Sequence, residues 1–143
     1  MTMTKETKLI AKGSNFTAMD VGKFEDVKDY SLGQMKGKIF LKDLINSTGV
    51  EMSFTSLPAN TELPFYHKHK QNEEVYIVVK GNGWFQVDNE KFPIQEGSVI
   101  RVATEGKRIM GNDSKKDLVY IVIQVKEKSL SQYTGEDGVI INK

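Results

Sequence analysis

From Lys36 onward, apolar and polar positions alternate with a period of two. Val50, Met52 and Phe54 interleave with Glu51, Ser53 and Thr55, the pattern of a strand with one dry and one wet face. Val75-Tyr76-Ile77-Val78-Val79 is a β-branched and aromatic run, stopped by Lys80-Gly81-Asn82-Gly83. Glycines on either side of an asparagine supply the positive φ of a tight turn. Trp84-Phe85-Gln86-Val87 returns from that turn, and Asp88-Asn89-Glu90 reverses the chain again. Phe92 to Ile94, Ser98 to Val102 and Leu118 to Val125 complete the predicted strands. Helical spacing is scarce, and Asp43 to Asn46 predicts one turn at most. Short strands with a turn signal roughly every ten residues predict an all-β sandwich or small barrel.

The flanks are patterned differently. In residues 1–35, Thr, Lys, Gly and Asp interrupt every apolar pair, which predicts a mobile start, irregular structure and an edge strand. Residues 36–126 carry the barrel and 127–143 a tail. Within the tail, Gly135-Glu136-Asp137-Gly138 reads as a turn, and Val139-Ile140-Ile141 predicts an edge strand added to this chain or to a partner. No internal repeat or second domain is visible.

Composition narrows the function. The 143 residues are 38% hydrophobic and 27% charged, enough apolar material for the core of one compact domain. Lys plus Arg is 20 against 19 for Asp plus Glu, a net charge of +1. Nothing in that balance draws the chain to nucleic acid or membrane, so neither is an expected partner. There are no cysteines, which excludes disulfides, thiolate catalysis and Cys-ligated zinc. Met1 to Lys8 lacks the apolar segment of a secretory leader. Apolar runs such as Leu118 to Ile123 are too short to span a bilayer. A cytoplasmic setting is expected.

Both histidines of the chain fall in Tyr66-His67-Lys68-His69-Lys70-Gln71-Asn72-Glu73-Glu74. If Phe65 to His69 is extended, His67 and His69 share a face, with Tyr66, Lys68 and Lys70 opposite. A carboxylate follows on the next strand, Glu73 or Glu74. Two imidazoles and one carboxylate are the donors of a facial triad with open metal positions. Fe(II), Mn, Ni or Zn would suit it, and spacing does not choose among them. A His-x-His pair also occurs as ordinary surface or hydrogen-bonding residues. Tyr66, Tyr76, Trp84, Phe85, Met52, Phe54 and Met110 are candidates to line a pocket, although core packing accounts for most such side chains.

The stretch from His67 to Gly81 resembles the first motif of the cupin family, which reads His-x-His, three or four residues, Glu, six residues, Gly. His67, His69, Glu74 and Gly81 fall in register, and the spacing favours Glu74 as the acidic ligand. The family's glycine ahead of the histidines is replaced by Thr61, where Asn60 is expected to make the turn. The second motif is partial. Gly97 opens it and Asn112 closes it, with Ala103 at the Pro position, Glu105 at the Gly position and Gly106 after it. Arg108 stands where the last histidine belongs, and a guanidinium cannot ligate a metal.

The resemblance covers roughly residues 36 to 126. It implies a jelly-roll barrel, a homodimer and a small-molecule ligand. It implies a divalent metal on His67, His69 and Glu74, whose affinity should fall as the imidazoles protonate. Three outcomes stand open for Arg108: it clamps an anionic ligand beside the metal, it pairs with Glu74 or Glu73 in a metal-free site, or it points to solvent. Arg108, Tyr76, Trp84 and Met110 are the candidate ligand contacts. A metal-dependent oxygenase or an isomerase or epimerase, and a non-catalytic binding or sensor barrel, are both consistent with this reading.

Overall fold

The computed structural model describes residues 6–132 and 134–143; the first residues of the expected mobile start, 1–5, lie outside them. A hairpin of β1 (Lys8–Gly13) and β2 (Phe16–Asp20) leads into a 3-10 turn over Phe24–Asp29. A second small hairpin joins β3 (Ser31–Leu32) to β4 (Met35–Lys36). The main strands follow as β5 (Lys38–Phe40), β6 (Glu51–Leu57), β7 (Thr61–Glu62), β8 (Asn72–Lys80), β9 (Asn82–Val87), β10 (Glu90–Gln95), β11 (Val99–Val102), β12 (Arg108–Asn112) and β13 (Leu118–Lys126). One helical turn, α1 (Lys42–Ile45), separates β5 from β6 and ends at Asn46 in the left-handed region.

Two antiparallel sheets form the barrel. One has the order β11-β8-β13-β6-β5 and the other β10-β9-β12-β7. Positive φ marks crossings between them: Asn60 from β6 to β7, Gly81 from β8 to β9, and Gly97 from β10 to β11. Asn60 thus makes the turn expected of it. After β12 the buried Asn112 amide holds the crossing, donating to the carbonyls of Leu57 and Lys116 and accepting from Ser114.

Register decides what the five-stranded sheet turns inward. Direct cross-strand partners share a face. Lys38, Thr55, Tyr120 and Val78 make one such row. Phe40, Ser53, Val122 and Tyr76 make the next, and Glu51, Gln124 and Glu74 a third. Val78, Tyr120, Tyr76 and Val122 of these rows meet Phe85, Ile94 and Met110 of the other sheet in the main core. Phe85 and Val87, not Trp84 and Gln86, are the inward pair of β9.

The opposite face of β5 and β6 is covered as well. Tyr30, Ile39 and Leu41 form a second buried cluster with Val21, Leu44, Met52 and Phe54. Met52 and Phe54 therefore pack under the N-terminal segment, away from the barrel interior. That segment holds two hairpins where one edge strand was expected. β1 is exposed along its whole length, so it has no dry face to write a pattern. Val139 to Ile141 lie outside any strand and are exposed, so within the chain they add no edge strand. None of the described helices is long and apolar enough to cross a membrane.

Candidate functional site

Glu74 projects inward from β8 and is 3% exposed. Its neighbour Glu73 has the opposite parity and meets the Arg101 Nε at 2.6 Å on the outside. The histidine segment is not a continuous strand. Leu63 N–H donates to the Met110 carbonyl, and His67 exchanges both backbone hydrogen bonds with Arg108. Between those contacts, Pro64 to Tyr66 face the single residue Ile109 of β12, so the segment bulges. The bridge nevertheless sets His67 directly opposite Arg108, with both side chains on the inner side.

The imidazoles converge on the carboxylate. His67 Nε2 lies 3.3 Å from Glu74 Oε1, and His69 Nε2 lies 3.2 Å from Oε2. The rings stand nearly perpendicular at 85°, with centroids 5.2 Å apart. One ligand atom from each of the three residues falls within 4.8 Å of the others. Tyr66 and Lys68 turn away, the latter to Glu105.

The two carboxylate oxygens differ in their partners. Oε1 accepts from the Tyr76 hydroxyl at 2.6 Å and from Arg108 Nη1 at 2.8 Å. Oε2 faces His69. Such anchoring of one oxygen orients the other toward a metal. Burial alone would raise the Glu74 pKa. Hydrogen bonds from His67 and Tyr76, the charge of His69 and the Arg108 hydrogen bond outweigh it and lower the pKa from 4.5 to about 2. Burial, and then the Glu74 charge, push the Tyr76 hydroxyl upward, so it stays protonated as the donor.

A carboxylate with a depressed folded pKa contributes stability above its unfolded value, because the unfolded chain takes up the proton first. On chelator-treated protein, that contribution should be complete above about pH 5 and lost as pH falls from 4.5 toward about 2. Denaturant unfolding at stepped pH should show an acid loss larger in the native sequence than in Glu74→Gln, by on the order of 3 kcal/mol. Equal losses would show that Glu74 is not held ionised by the fold.

Arg108 is 1% exposed. Its Nε donates to the Gly106 carbonyl, and Nη2 donates to the carbonyls of Ala103 and Gly106. The solvent-facing outcome is thereby removed, and the pairing with Glu74 is present. The guanidinium does not line the adjoining cavity, a space of about 290 Å³ bordered by His67, His69, Glu74 and Tyr76. Trp84 and Met110 do not border it either. Met110 is sealed in the core at 1% exposure, and the Trp84 ring lies under Lys91 Nζ. Sequence reasoning passed over Lys38, which does line the cavity. Only the pairing of Lys38 with Thr55 shows which face of β5 it occupies.

One observation bears on whether these residues suit a metal. His69 Nε2 is buried and, although 3.2 Å from Glu74 Oε2, is not aligned to hydrogen-bond with it or with any other described atom. A buried polar nitrogen left unpaired is costly. Here it faces a carboxylate oxygen and a second imidazole nitrogen, which is the donor set of a divalent transition metal. The residues fit the group.

Comparison with known proteins agrees with the geometry. A family model described as a cupin domain matches residues 53–124. The chain is 40% identical to a cupin protein of Bacteroides fragilis, with a TM-score of 0.71, covering 78% of this chain and 94% of that one. A cupin family protein from Methanocaldococcus jannaschii with a double-stranded β-helix fold aligns at 22% identity and a TM-score of 0.51. That alignment covers 62% of this chain and 80% of the other, a likeness of fold alone. Over 36 residues the chain is 42% identical to an uncharacterized protein of the same species, a match spanning 25% of this chain and 29% of that protein. Residues 53–124, which the family model matches, hold the paired histidines and Glu74, and the chain belongs to the cupin superfamily.

Proposed function

We propose that this cupin holds a divalent transition metal on His67, His69 and Glu74 and binds a small organic ligand in the cavity beside it. The observation that carries this reading is the orphaned, buried His69 Nε2 directed at the other two donors. A bound metal would supply Lewis acidity and open coordination positions. The chain's own residues prepare the place. Tyr76 and Arg108 anchor Glu74 Oε1, which His67 Nε2 also approaches, and leave Oε2 toward His69. Arg108 also balances the carboxylate charge, so three neutral or singly charged donors remain, a set that suits Fe, Mn, Ni or Zn. A cavity of about 290 Å³ is at the small end for ligand sites, which favours a metabolite-sized molecule. Oxygenase chemistry and isomerase or epimerase chemistry both use such a metal, and the fold does not rank them.

The buried Arg108–Glu74 pair favours a second reading, a metal-free binding barrel, because the carboxylate is already charge-balanced. Elemental analysis of purified protein separates the two. Near-stoichiometric Fe, Mn, Ni or Zn is expected, and it should disappear in a His67→Ala, His69→Ala double variant that still unfolds cooperatively. Metal content unchanged by those substitutions would refute the site. Native protein that takes up no metal after reconstitution would leave the metal-free reading.

A further inference from the structure

Two cationic side chains point into the barrel, and they differ in what they can reach. Arg108 is enclosed, with its donors spent on Glu74 and on the carbonyls of Ala103 and Gly106. Lys38 opens onto the cavity that His67, His69 and Glu74 border. Its ammonium makes one hydrogen bond, to Thr55 Oγ1 at 3.3 Å, and sits 5.1 Å from the centroid of the Phe40 ring. A lysine head has three donors, so two are not used in hydrogen bonds to the described residues. No carboxylate among the described residues forms an ion pair with it.

Such placement is unfavourable for the protein alone. A partly desolvated ammonium without a directly paired counter-charge lies in an inner-face row with Tyr120 and Val78, where an apolar side chain would pack at no electrostatic cost. Burial draws the Lys38 pKa down, and the charges of Glu74 and Glu51 oppose that only in part. A group kept where it costs stability is characteristic of a functional position. The missing counter-charge is what a bound anion would provide. Tyr120, Phe40 and Phe65 also line this cavity, so a ligand in it meets apolar and aromatic surface.

We infer that Lys38 selects the ligand. It receives the carboxylate at one end of a small organic acid whose other end lies at His67, His69 and Glu74. This inference rests on the metal-site reading for the near end of the ligand and on Lys38 alone for the far end. The ligand class is therefore a short diacid or an oxygen-chelating monoacid, with its two polar ends separated by an apolar middle.

The test uses the full chain loaded with cobalt(II), titrated with malonate, succinate and glutarate and with the monoamide of each. Cobalt absorption reports the near end, and calorimetry reports affinity. In the native sequence the best-fitting diacid should bind about tenfold or more tightly than its monoamide, the worth of a charge-assisted hydrogen bond. Lys38→Met should abolish that ratio, leave monoamide affinity and the unliganded cobalt spectrum unchanged, and unfold at an equal or higher temperature. Lys38→Arg should keep part of the ratio. A Lys38→Met protein that still prefers the diacid overturns the assignment. So does a native protein that shows no preference or binds none of the diacids. Failure of cobalt to bind would count against the metal site alone. The same calorimetric ratio, measured on metal-free native and Lys38→Met protein, would then decide Lys38 by the same criteria.

Discussion

Arg108→Met should destabilise the protein by about 3–5 kcal/mol, the usual cost of removing one partner from a buried ion pair. Methionine retains most of the length of the side chain, so the loss is chiefly electrostatic. Glu74 would keep a buried charge with the Tyr76 hydroxyl and the imidazoles as its remaining support. The Gly106 carbonyl would also lose its Arg108 donors and the Ala103 carbonyl one of its two, which loosens the loop between β11 and β12. Adding Glu74→Gln to Arg108→Met should recover a large share of the loss, because the second substitution removes the stranded charge. A double-mutant cycle by denaturant unfolding measures that coupling. A loss below about 1 kcal/mol would place the pair in the range of exposed salt bridges and contradict its burial.

Gly81→Ala should cost about 2 kcal/mol or more, by two separable mechanisms. The residue has a φ of 87°, where side chains other than glycine are strained. A Cβ there would also fall on the Asp117 carbonyl oxygen, a backbone atom that cannot swing aside. Gly97 is the control. Its φ is 89°, but a Cβ would meet nothing within 4 Å. Gly97→Ala should therefore show the conformational cost alone, about 1 kcal/mol. Thermal or denaturant unfolding of the two variants distinguishes the mechanisms; equal losses would mean that the approach to Asp117 relaxes freely. The last residue of the first motif is thus explained by the crossing from β8 to β9, where the chain passes between sheets against the strand that follows β12.

Much of the candidate site was legible because its pattern is local. His67 and His69 lie two apart, and Glu74 starts a strand whose Tyr76 and Val78 mark the inner parity. The acidic choice between Glu73 and Glu74 follows from the same alternation once Val78 is known to be buried. β12 was harder to read. Its inward positions are Arg108, Met110 and Asn112, so polar residues occupy the places where a strand pattern expects apolar ones. Both polar groups are fully engaged inside, which the sequence does not display.

The sequence by itself determined the β class, most of the main strands, the turns at Asn60 and Gly81, and the neighbourhood of His67, His69 and an acidic residue at 73 or 74. Alternation states which side chains share a face, and the motif spacing favoured Glu74 over Glu73. Tertiary structure alone decided which face is the interior. It turned Lys38 into the cavity through its pairing with Thr55, closed Arg108 onto Glu74, and put Trp84 outside. The reason is physical. A strand has two faces, and β5 and β6 bury both of them, so the hydrophobic pattern cannot distinguish the barrel side from the side packed under the N-terminal segment.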